Sequence, residues 1–348
     1  MKKWLAGVVI ACAFFCSPLA AQQKKIIFDT DFVYPPQDDA MALFFVLNCP
    51  ELQILGITTV AGNDNVEIAT ADALKVLEVT GRTEIPVFRG AARPWIHQKS
   101  EWDTGRRHGG WWSDAPAKER AGGFAKKKAE SRSAVDFLVS TIMQNPGQIT
   151  TLALGPLTNV ATAMRMEPNF ARNVKQLVIM GGAVAALPDG AGNHTPNAEF
   201  NFYVDPEAAK VVLRSGIPII LSPLNVSRKA NFTKESYDRI VAADTPITRL
   251  IKQEMGPRYQ AAQGRQMSMY MYDQIAAVTL IAPELMKTRD MFVDVDDHYG
   301  PDYGTSVGGD QIWPGAEGAQ KMAVQYDLDW EKFINLYVER VTRKSAKP

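Results

Sequence analysis

The feature that most constrains the fold is a repeated alternation of short aliphatic runs with longer helical runs between residues 24 and 222. The first pair shows the pattern, because Lys-Lys-Ile-Ile-Phe-Asp at residues 24–29 is typical of a strand and the apolar run after Asp38 is typical of a helix. Further strands are predicted at residues 52–59, 86–88, 149–154, 174–180 and 218–222, and further helices at 66–80, 133–144, 157–166 and 206–215. This alternation predicts an α/β fold with a mainly parallel central sheet and helices on both faces.

Residues 93–128 interrupt this rhythm. The segment is rich in Trp, Gly, Arg and Lys and shows little periodicity, which is typical of a lid or functional insertion loop and also of a solvated insertion. Beyond residue 222, helices are predicted at 235–243, 246–263, 272–281 and 330–342, and strands at 291–295 and 321–324. The length suits one large α/β domain or two smaller ones.

The first 21 residues have the parts of a secretory signal peptide: a basic start, an apolar run at residues 4–15 and small residues at 17–21. The apolar run is too short to cross about 30 Å of hydrocarbon, which disfavours a membrane anchor. A lipid-modified start at Cys16 is a further alternative. We expect an exported protein, periplasmic or secreted, whose mature chain begins near Gln22.

The cysteine content limits the disulfides that the chain can form, and the net charge limits its partners. Cys12 and Cys16 leave with the signal peptide, so Cys49 alone remains and the mature chain forms no intrachain disulfide. Lys plus Arg and Asp plus Glu both number 38, so no basic field attracts nucleic acid. We expect a small-molecule partner, and neither a nucleic acid nor a membrane.

Four aspartates surround the first predicted strand–helix connection. Asp29 and Asp31 follow the strand, where ligands of open α/β sheets bind, and Asp38 and Asp39 begin the helix. Four carboxylates this close repel one another unless one is protonated or a cation is present, and a hard divalent ion is the natural partner. Ordinary helix caps with solvated loop residues are one alternative. The strand-terminal Asp-x-Asp of haloacid-dehalogenase-like phosphatases is another.

Five segments, taken in order, resemble the inosine/uridine-preferring nucleoside hydrolase family. They are Phe-Asp-Thr-Asp at 28–31 with Asp-Asp-Ala-Met-Ala-Leu at 38–43, Val-Ala-Gly-Asn at 60–63, Leu-Gly-Pro-Leu-Thr-Asn at 154–159, Val-Ile-Met-Gly-Gly at 178–182, and Gly-Asn-His-Thr-Pro-Asn-Ala-Glu-Phe-Asn at 192–201 with Asp-Pro-Glu-Ala-Ala at 205–209. The resemblance covers residues 25–343. It implies a single domain over residues 22–348 and calcium-dependent hydrolysis of the N-glycosidic bond of ribonucleosides.

The resemblance also implies a role for each matching residue. Asp31 would bind Ca²⁺ and activate the attacking water, and Asp39, Asp273 and the backbone carbonyl of Leu154 would complete the protein ligands. Calcium takes six to eight oxygen ligands, so water and two ribose hydroxyls would fill the shell. The positions implied to line the ribose or the nearby base are Asp38, Asn63, Met180, Asn193, Glu199 and Asn201.

The chain departs from the family pattern in two places. The loop at residues 32–37 is longer than usual, and Tyr272 stands where many pyrimidine-accepting members have a histidine that protonates the leaving base. A phenol, with an ordinary pKa near 10, is a poorer acid. An aromatic residue at this position is typical of the purine-preferring branch, which stacks the base between rings. We therefore hypothesise a purine preference, with Trp111 or Trp112 as the second ring and His108 as the nearby candidate acid.

Two other functions compete with this interpretation. A phosphatase would need downstream phosphate-binding residues and leaves the 193–201 segment unexplained. A calcium-dependent nucleoside- or sugar-binding protein with little turnover is the second alternative, because Tyr272 weakens the leaving-group chemistry. The resemblance further implies a homodimer or homotetramer.

Overall fold

The computed structural model describes residues 22–104, 110–262 and 268–344. The predicted signal peptide and His108 lie outside these residues. The strands of the described part, in chain order, are β1 (Lys24–Thr30), β2 (Leu52–Thr59), β3 (Val87–Arg89), β4 (Ile149–Ala153), β5 (Gln176–Met180), β6 (Ile219–Ser222), β7 (Asn231–Thr233), β8 (Ser268–Tyr270), β9 (Met286–Val295), β10 (Ser306–Gly309) and β11 (Gln320–Leu328).

Within those residues, nine of the strands form one sheet in the order β10-β9-β11-β6-β5-β4-β1-β2-β3, and β7 pairs with β8 separately. Every pair from β11 to β3 is parallel, whereas β9 runs antiparallel to both β10 and β11. The predicted mainly parallel sheet is confirmed. The prediction missed β7, β8 and β10, and it placed the start of β9 five residues too late.

The helices alternate with the strands as predicted through β6. In chain order they are α1 (Asp38–Leu47), α2 (Val66–Thr80), α3 (Glu101–Thr104), α4 (Ala134–Gln144), α5 (Thr158–Met166), α6 (Phe170–Asn173), α7 (Phe200–Val204), α8 (Pro206–Leu213), α9 (Leu224–Ser227), α10 (Lys234–Val241), α11 (Pro246–Ala261), α12 (Tyr272–Thr279) and α13 (Trp330–Thr342). None of these helices combines the length and apolar character needed to cross a bilayer.

Local signals explain where the helices begin and end. At the start of α2 the side chain of Asn65 accepts hydrogen bonds from the N–H groups of Glu67 and Ile68, and the helix ends at Gly81 with φ 73°. A non-glycine residue would be strained in that left-handed conformation. At the start of α8 the side chain of Asp205 accepts a hydrogen bond from the N–H of Ala208, and Pro206 occupies the first helical position.

Two apolar layers cover the sheet. Ile26 and Phe28 of β1 pack in the cluster that holds α1, α12 and α13, whereas Ile27 packs in the cluster that holds α4, α5 and α8. Successive strand residues point to opposite faces, so a strand that is apolar at every position must be covered on both sides. The result is a single α/β domain whose central strands are fully buried.

The described part of the 93–128 segment is irregular and mostly exposed or half-buried, with a few buried residues. Its described residues include α3 and a 3₁₀ turn at Gly110–Trp112, and Trp111 is completely buried. Arg120 donates two hydrogen bonds to the carboxylate of Asp72 on α2, at 2.8 and 2.6 Å, and its guanidinium lies 4.7 Å from the ring centroid of Tyr34. The segment is thereby tied to the long 32–37 loop.

Candidate active site

The carboxyl ends of four adjacent strands bring motifs of the sequence to one edge of the sheet. Asn63 follows β2, Asp31 follows β1, Leu154 follows β4 and Met180 ends β5. The chain proceeds outward from β1 to β3 in one direction and from β4 to β6 in the other. Ligand crevices form at such a switch point, because the loops leaving the two central strands diverge.

Asp31 is buried at the centre of this edge. Its Oδ2 accepts a hydrogen bond from the backbone N–H of Asn63 at 2.7 Å. A Cβ on Gly62 would lie 2.1 Å from that Oδ2, and one on Gly155 would lie 2.7 Å from the backbone N of Asp31. Glycines in two of the sequence motifs therefore allow two loops to close around one carboxylate.

Hydrogen bonds also fix Asp29 and Asp39, which have different surroundings. Asp29 accepts from the hydroxyl of Thr58 at 2.5 Å and from the side-chain amide of Asn159 at 2.8 Å, so one of its oxygens anchors β1 to its neighbours. Asp39 accepts from the side-chain amide of Asn63 at 3.2 Å. Asn63 thus contacts two of the three acidic residues, Asp31 and Asp39, that the sequence assigned to the metal site.

Asp38, Asp39 and Asp273 place carboxylate oxygens within 4.8 Å of one another. Burial raises the pKa of all three, and neighbouring carboxylates raise the pKa of Asp39 and Asp273 further. Burial likewise raises the pKa of Asp31 to about 7, although the Asn63 N–H opposes the shift. None of the described residues lining the adjoining cavity is Lys or Arg. Acidic groups are therefore concentrated here without a Lys or Arg side chain in the described cavity wall to balance them.

The donor atoms fit a hard divalent cation. Oδ1 of Asp31 is buried and has no hydrogen-bond partner among the described residues. The carbonyl oxygen of Leu154 accepts from Asn201 Nδ2 at 2.8 Å and keeps a second lone pair. Carboxylate and carbonyl oxygens are the ligands that such cations take, and a bound cation would favour the charged carboxylates. Asp31, Asp39, Leu154 and Asp273 therefore suit a metal, and the structure places Asp38 beside them.

Three of the residues predicted to line the ribose, Asn193, Glu199 and Asn201, lie at or just before the start of α7. Glu199 caps this helix: its carboxylate accepts from the backbone N–H groups of Gly182, Asn201 and Phe202 at 2.8, 2.8 and 3.1 Å. Burial raises its pKa to about 7 against these three hydrogen bonds. Asn193 Oδ1 accepts from the N–H of Phe200 at 2.9 Å, leaving its amide N–H groups available. These contacts fix several hydrogen-bonding groups in one small volume.

A cavity of about 270 Å³ adjoins the acidic cluster. Its lining is Gln37, Asp38, Asn63, Leu154, Met180, Asn193, His194, Glu199, Phe200, Asn201, Tyr272 and Asp273. All the predicted ribose-lining residues are in this set. Gln37, His194 and Phe200 had no predicted role, although His194 and Phe200 lie within the quoted 192–201 motif and Gln37 immediately precedes Asp38.

The predicted base-stacking aromatics differ in position. Tyr272 lines the cavity, and burial raises its pKa to about 12. Trp111 is completely buried outside the cavity lining, edge-on to Phe200 at a centroid distance of 5.5 Å, and half-buried Trp112 lies 6.3 Å from Trp111. Trp111 therefore contacts Phe200 from outside the cavity. Phe200, not Trp111, lines the cavity together with Tyr272. The predicted role of His108 falls outside the described residues.

Comparison with known proteins identifies the family of the chain. The family model described as inosine-uridine preferring nucleoside hydrolase matches residues 26–335. The chain belongs to this nucleoside hydrolase family. Its α/β architecture and its acidic pocket are those of a hydrolase that acts on N-glycosyl bonds of ribonucleosides, and the family is metal-dependent.

Individual relatives agree with this family assignment. The chain is 34% identical over 316 residues to the pyrimidine-specific ribonucleoside hydrolase RihB of Escherichia coli K12, covering 89% of this chain and 95% of the relative. A plant nucleoside hydrolase structure, the PpNRh1 enzyme, is 30% identical with a TM-score of 0.77, covering 92% of this chain and 99% of that one. A purine-preferring ribonucleoside hydrolase from Gardnerella vaginalis, at 24% identity and a TM-score of 0.75, covers 92% and 98% and shares the fold.

Proposed function

We propose that the mature chain is an exported, calcium-dependent nucleoside hydrolase that prefers purine ribonucleosides and releases ribose and the free base. The observation that carries the metal chemistry is the convergence of buried Asp31, Asp39 and Asp273 beside a cavity whose described lining has no Lys or Arg. Family membership supplies the reaction class. The arrangement of the remaining residues supports the individual roles proposed below.

The proposed calcium ligands are the carboxylates of Asp31, Asp39 and Asp273 and the carbonyl oxygen of Leu154. Calcium is preferred over magnesium because the donors come from separate elements and are all oxygens, and Ca²⁺ accepts irregular shells of six to eight oxygens at 2.3–2.6 Å. When bound, the cation supplies Lewis acidity toward water and charge balance for the carboxylates. The Asn201 amide, bonded to the Leu154 carbonyl, orients that ligand.

Asp31 is the proposed general base. Its Oδ2 is held by the Asn63 N–H, and its buried Oδ1 is the atom that takes the proton from the attacking water. Asp38, Asn193, Glu199 and Asn201 would hold the ribose hydroxyls as positive charge develops at the anomeric carbon, and Met180 would pack against the sugar. Buried carboxylates close to that carbon stabilise an oxocarbenium-like transition state.

The proposed purine preference rests on Tyr272. Its phenol, with a pKa of about 12, cannot protonate a leaving base efficiently at neutral pH, so the ring's contribution is to stack. Phe200 supplies a second aromatic surface in the same cavity. RihB is described as pyrimidine-specific, so base choice is the property in which this chain is proposed to differ from that relative. Faster turnover of uridine than of inosine would refute the preference.

Export and assembly complete the proposal. The signal-like segment at residues 1–21 supports a periplasmic or secreted location, and family resemblance supports a homodimer or homotetramer. The metal proposal is tested by chelating the purified mature protein and assaying ribose release from inosine after adding back Ca²⁺ or Mg²⁺. Recovery with Ca²⁺ supports it. Full activity in the chelated protein would refute it.

A further inference from the structure

His97 is a buried histidine that neither the metal site nor the ribose contacts use. Its Nδ1 lies 3.0 Å from the carbonyl oxygen of Tyr203 and 3.1 Å from that of Val204, at the end of α7. Carbonyl oxygens only accept hydrogen bonds, so Nδ1 must carry a proton. Nε2 lies 3.3 Å from a carboxylate oxygen of Asp103 on α3, which is an ion-pair contact without a hydrogen bond. Both ring nitrogens therefore face acceptors.

Asp103 is completely buried and has further donors. Its Oδ2 accepts from the hydroxyl of Ser100 at 2.5 Å and from the Ser100 N–H at 3.2 Å, while its Oδ1 accepts from the hydroxyl of Tyr203 at 3.1 Å. Three neutral donors and the imidazole surround one carboxylate, an environment that stabilises its charged form. Burial opposes the charge, but the hydrogen bonds prevail and the pKa of Asp103 lies below its usual range.

We infer that His97 is held as an imidazolium between Asp103 and the last carbonyls of α7, and that this charged pair positions α7 within the active site. Burial disfavours the charge on His97, yet the contacts with Asp103 and with the two carbonyls outweigh it, so the pKa of His97 lies above its ordinary value. Because His97 and Asp103 both belong to the 93–128 segment, the pair fastens that segment to the ribose-binding helix.

The link from His97 to the cavity runs through α7 itself. Glu199 caps the helix, and Asn201 in its first turn bonds to the Leu154 carbonyl. The ring of Tyr203 packs on that of His194 at a centroid distance of 4.4 Å, and His194 lines the cavity. A shift of the C-terminal end of α7 would therefore move groups on both sides of the ligand space. This positioning role rests on the proposed ribose-binding function of α7.

The other titratable groups that face His97 do not alter the conclusion that its ring is positively charged. Tyr303 packs edge-on at 5.1 Å, and its hydroxyl donates to the carboxylate of Glu207 on α8 at 2.9 Å. Burial and the Glu207 charge raise the pKa of Tyr303, so this phenol stays neutral. Asp205, beside the carbonyl of Val204, accepts from the Trp95 N–H at 3.1 Å. Negative groups surround the imidazolium, and the residues described around it bring no second cation.

Protonation of His97 is tested by nuclear magnetic resonance on protein labelled with ¹⁵N-histidine, since the chain has four histidines. In wild-type protein at pH 7.5 the His97 ring, identified as the signal that is lost in His97→Gln, should be doubly protonated. Asp103→Asn should convert it to a neutral ring. A neutral His97 in the wild-type protein at pH 7.5 would overturn the inference, and this readout does not depend on whether the protein hydrolyses nucleosides.

The positioning role is tested by steady-state kinetics with inosine. We expect His97→Gln to raise KM about tenfold while kcat changes by less than about threefold, because ground-state ribose contacts shift more than the reacting groups. The matched control is His298→Gln, a histidine 88% exposed whose Nδ1 lies 3.1 Å from Asp296 and which should leave both constants unchanged. Equal KM values in the two variants would overturn the role.

A folding defect is separated from a positioning defect by a milder change. Tyr203→Phe keeps the ring on His194 and removes the hydroxyl that donates to Asp103, and it should raise KM about threefold with an unchanged melting profile. If His97→Gln does not fold, an unchanged KM in Tyr203→Phe overturns the positioning role. Absence of ribose release by the wild-type protein would instead refute the proposed function, and it would remove the positioning role that rests on it while the protonation result stands.

Discussion

Removing the cation from the proposed metal site should make the protein less stable as the pH rises, and Asp31 illustrates an effect to which Asp38, Asp39 and Asp273 also contribute. In the metal-free protein burial raises the pKa of Asp31 from 3.8 to about 7, so the folded chain keeps a proton that the unfolded chain has already lost. The folded state then binds more protons between pH 4 and 7, and the free energy of unfolding falls as the pH increases. At about 1.4 kcal/mol per unit of pKa, the raised pKa of Asp31 lowers the free energy of unfolding by about 4 kcal/mol over this pH range.

Calcium should reverse that loss because it binds the carboxylate form. At a free Ca²⁺ concentration about a thousandfold above its dissociation constant, binding stabilises the folded state by about 4 kcal/mol. With roughly 2–4 °C per kcal/mol for a large domain, Ca²⁺ should raise the melting temperature at pH 8 by roughly 8–16 °C. At pH 5 the increase should be much smaller, since protons compete for the same oxygens.

Differential scanning calorimetry of chelated and calcium-loaded protein at pH 5, 6, 7 and 8 measures this difference. The matched variant is Asp31→Asn, which keeps the shape of the side chain and can still accept the Asn63 N–H. Chelated Asp31→Asn should be more stable than chelated wild type at pH 8 and should respond less to calcium. A calcium-induced shift of the same size at pH 5 and pH 8, or a chelated variant less stable than wild type at pH 8, would contradict this reasoning.

Three further predictions follow from single features of the chain. Replacing Tyr272 with histidine supplies an acid with a pKa near neutrality, so uridine turnover relative to inosine should rise at least about tenfold in steady-state assays, and an unchanged ratio would count against the leaving-group argument. Arg120→Ala leaves the buried carboxylate of Asp72 without its two charged donors and should lower the free energy of unfolding by about 1–3 kcal/mol in denaturant titrations, whereas a value near zero would show that the contact with Tyr34 and Asp72 is dispensable. Mass spectrometry of the exported protein should give an N-terminus near Gln22, and an intact residue 1 would refute cleavage.

Much of the architecture could be predicted because the spacing of apolar residues along the chain matches the buried faces of its helices and strands. Helix α2 agrees with the predicted range at both ends, and in the structure Asn65 and Gly81 cap it. The edge strand β10 has the sequence Ser-Val-Gly-Gly, which carries no strand signal and is stabilised by pairing with β9. The short helix α7 was missed for a similar reason, because five residues hold too few turns to show a period and its cap depends on Glu199.

The site was predictable where residue type alone restricts the chemistry. The Asp31–Asp39 cluster could be recognised as a candidate cation site because carboxylates crowded at a strand end repel one another without a cation, whereas the roles of the polar residues at 193–201 came from the resemblance to the family. The position of Trp111 could not, since it depends on packing in a segment without periodicity. The His97–Asp103 pair is hidden for the same reason: the ring nitrogens gain their partners only when α7 is in place.

Ribose release from inosine by wild-type protein and by Asp31→Asn, at the same saturating calcium concentration, tests the central claim most directly. The site predicts that wild-type protein releases stoichiometric ribose and base, and that the variant, which still folds and binds inosine, loses kcat by about 10²–10⁴-fold because the general base is gone. Tight inosine binding by the wild-type protein without ribose release would contradict the claim. So would a variant with kcat close to that of the wild type.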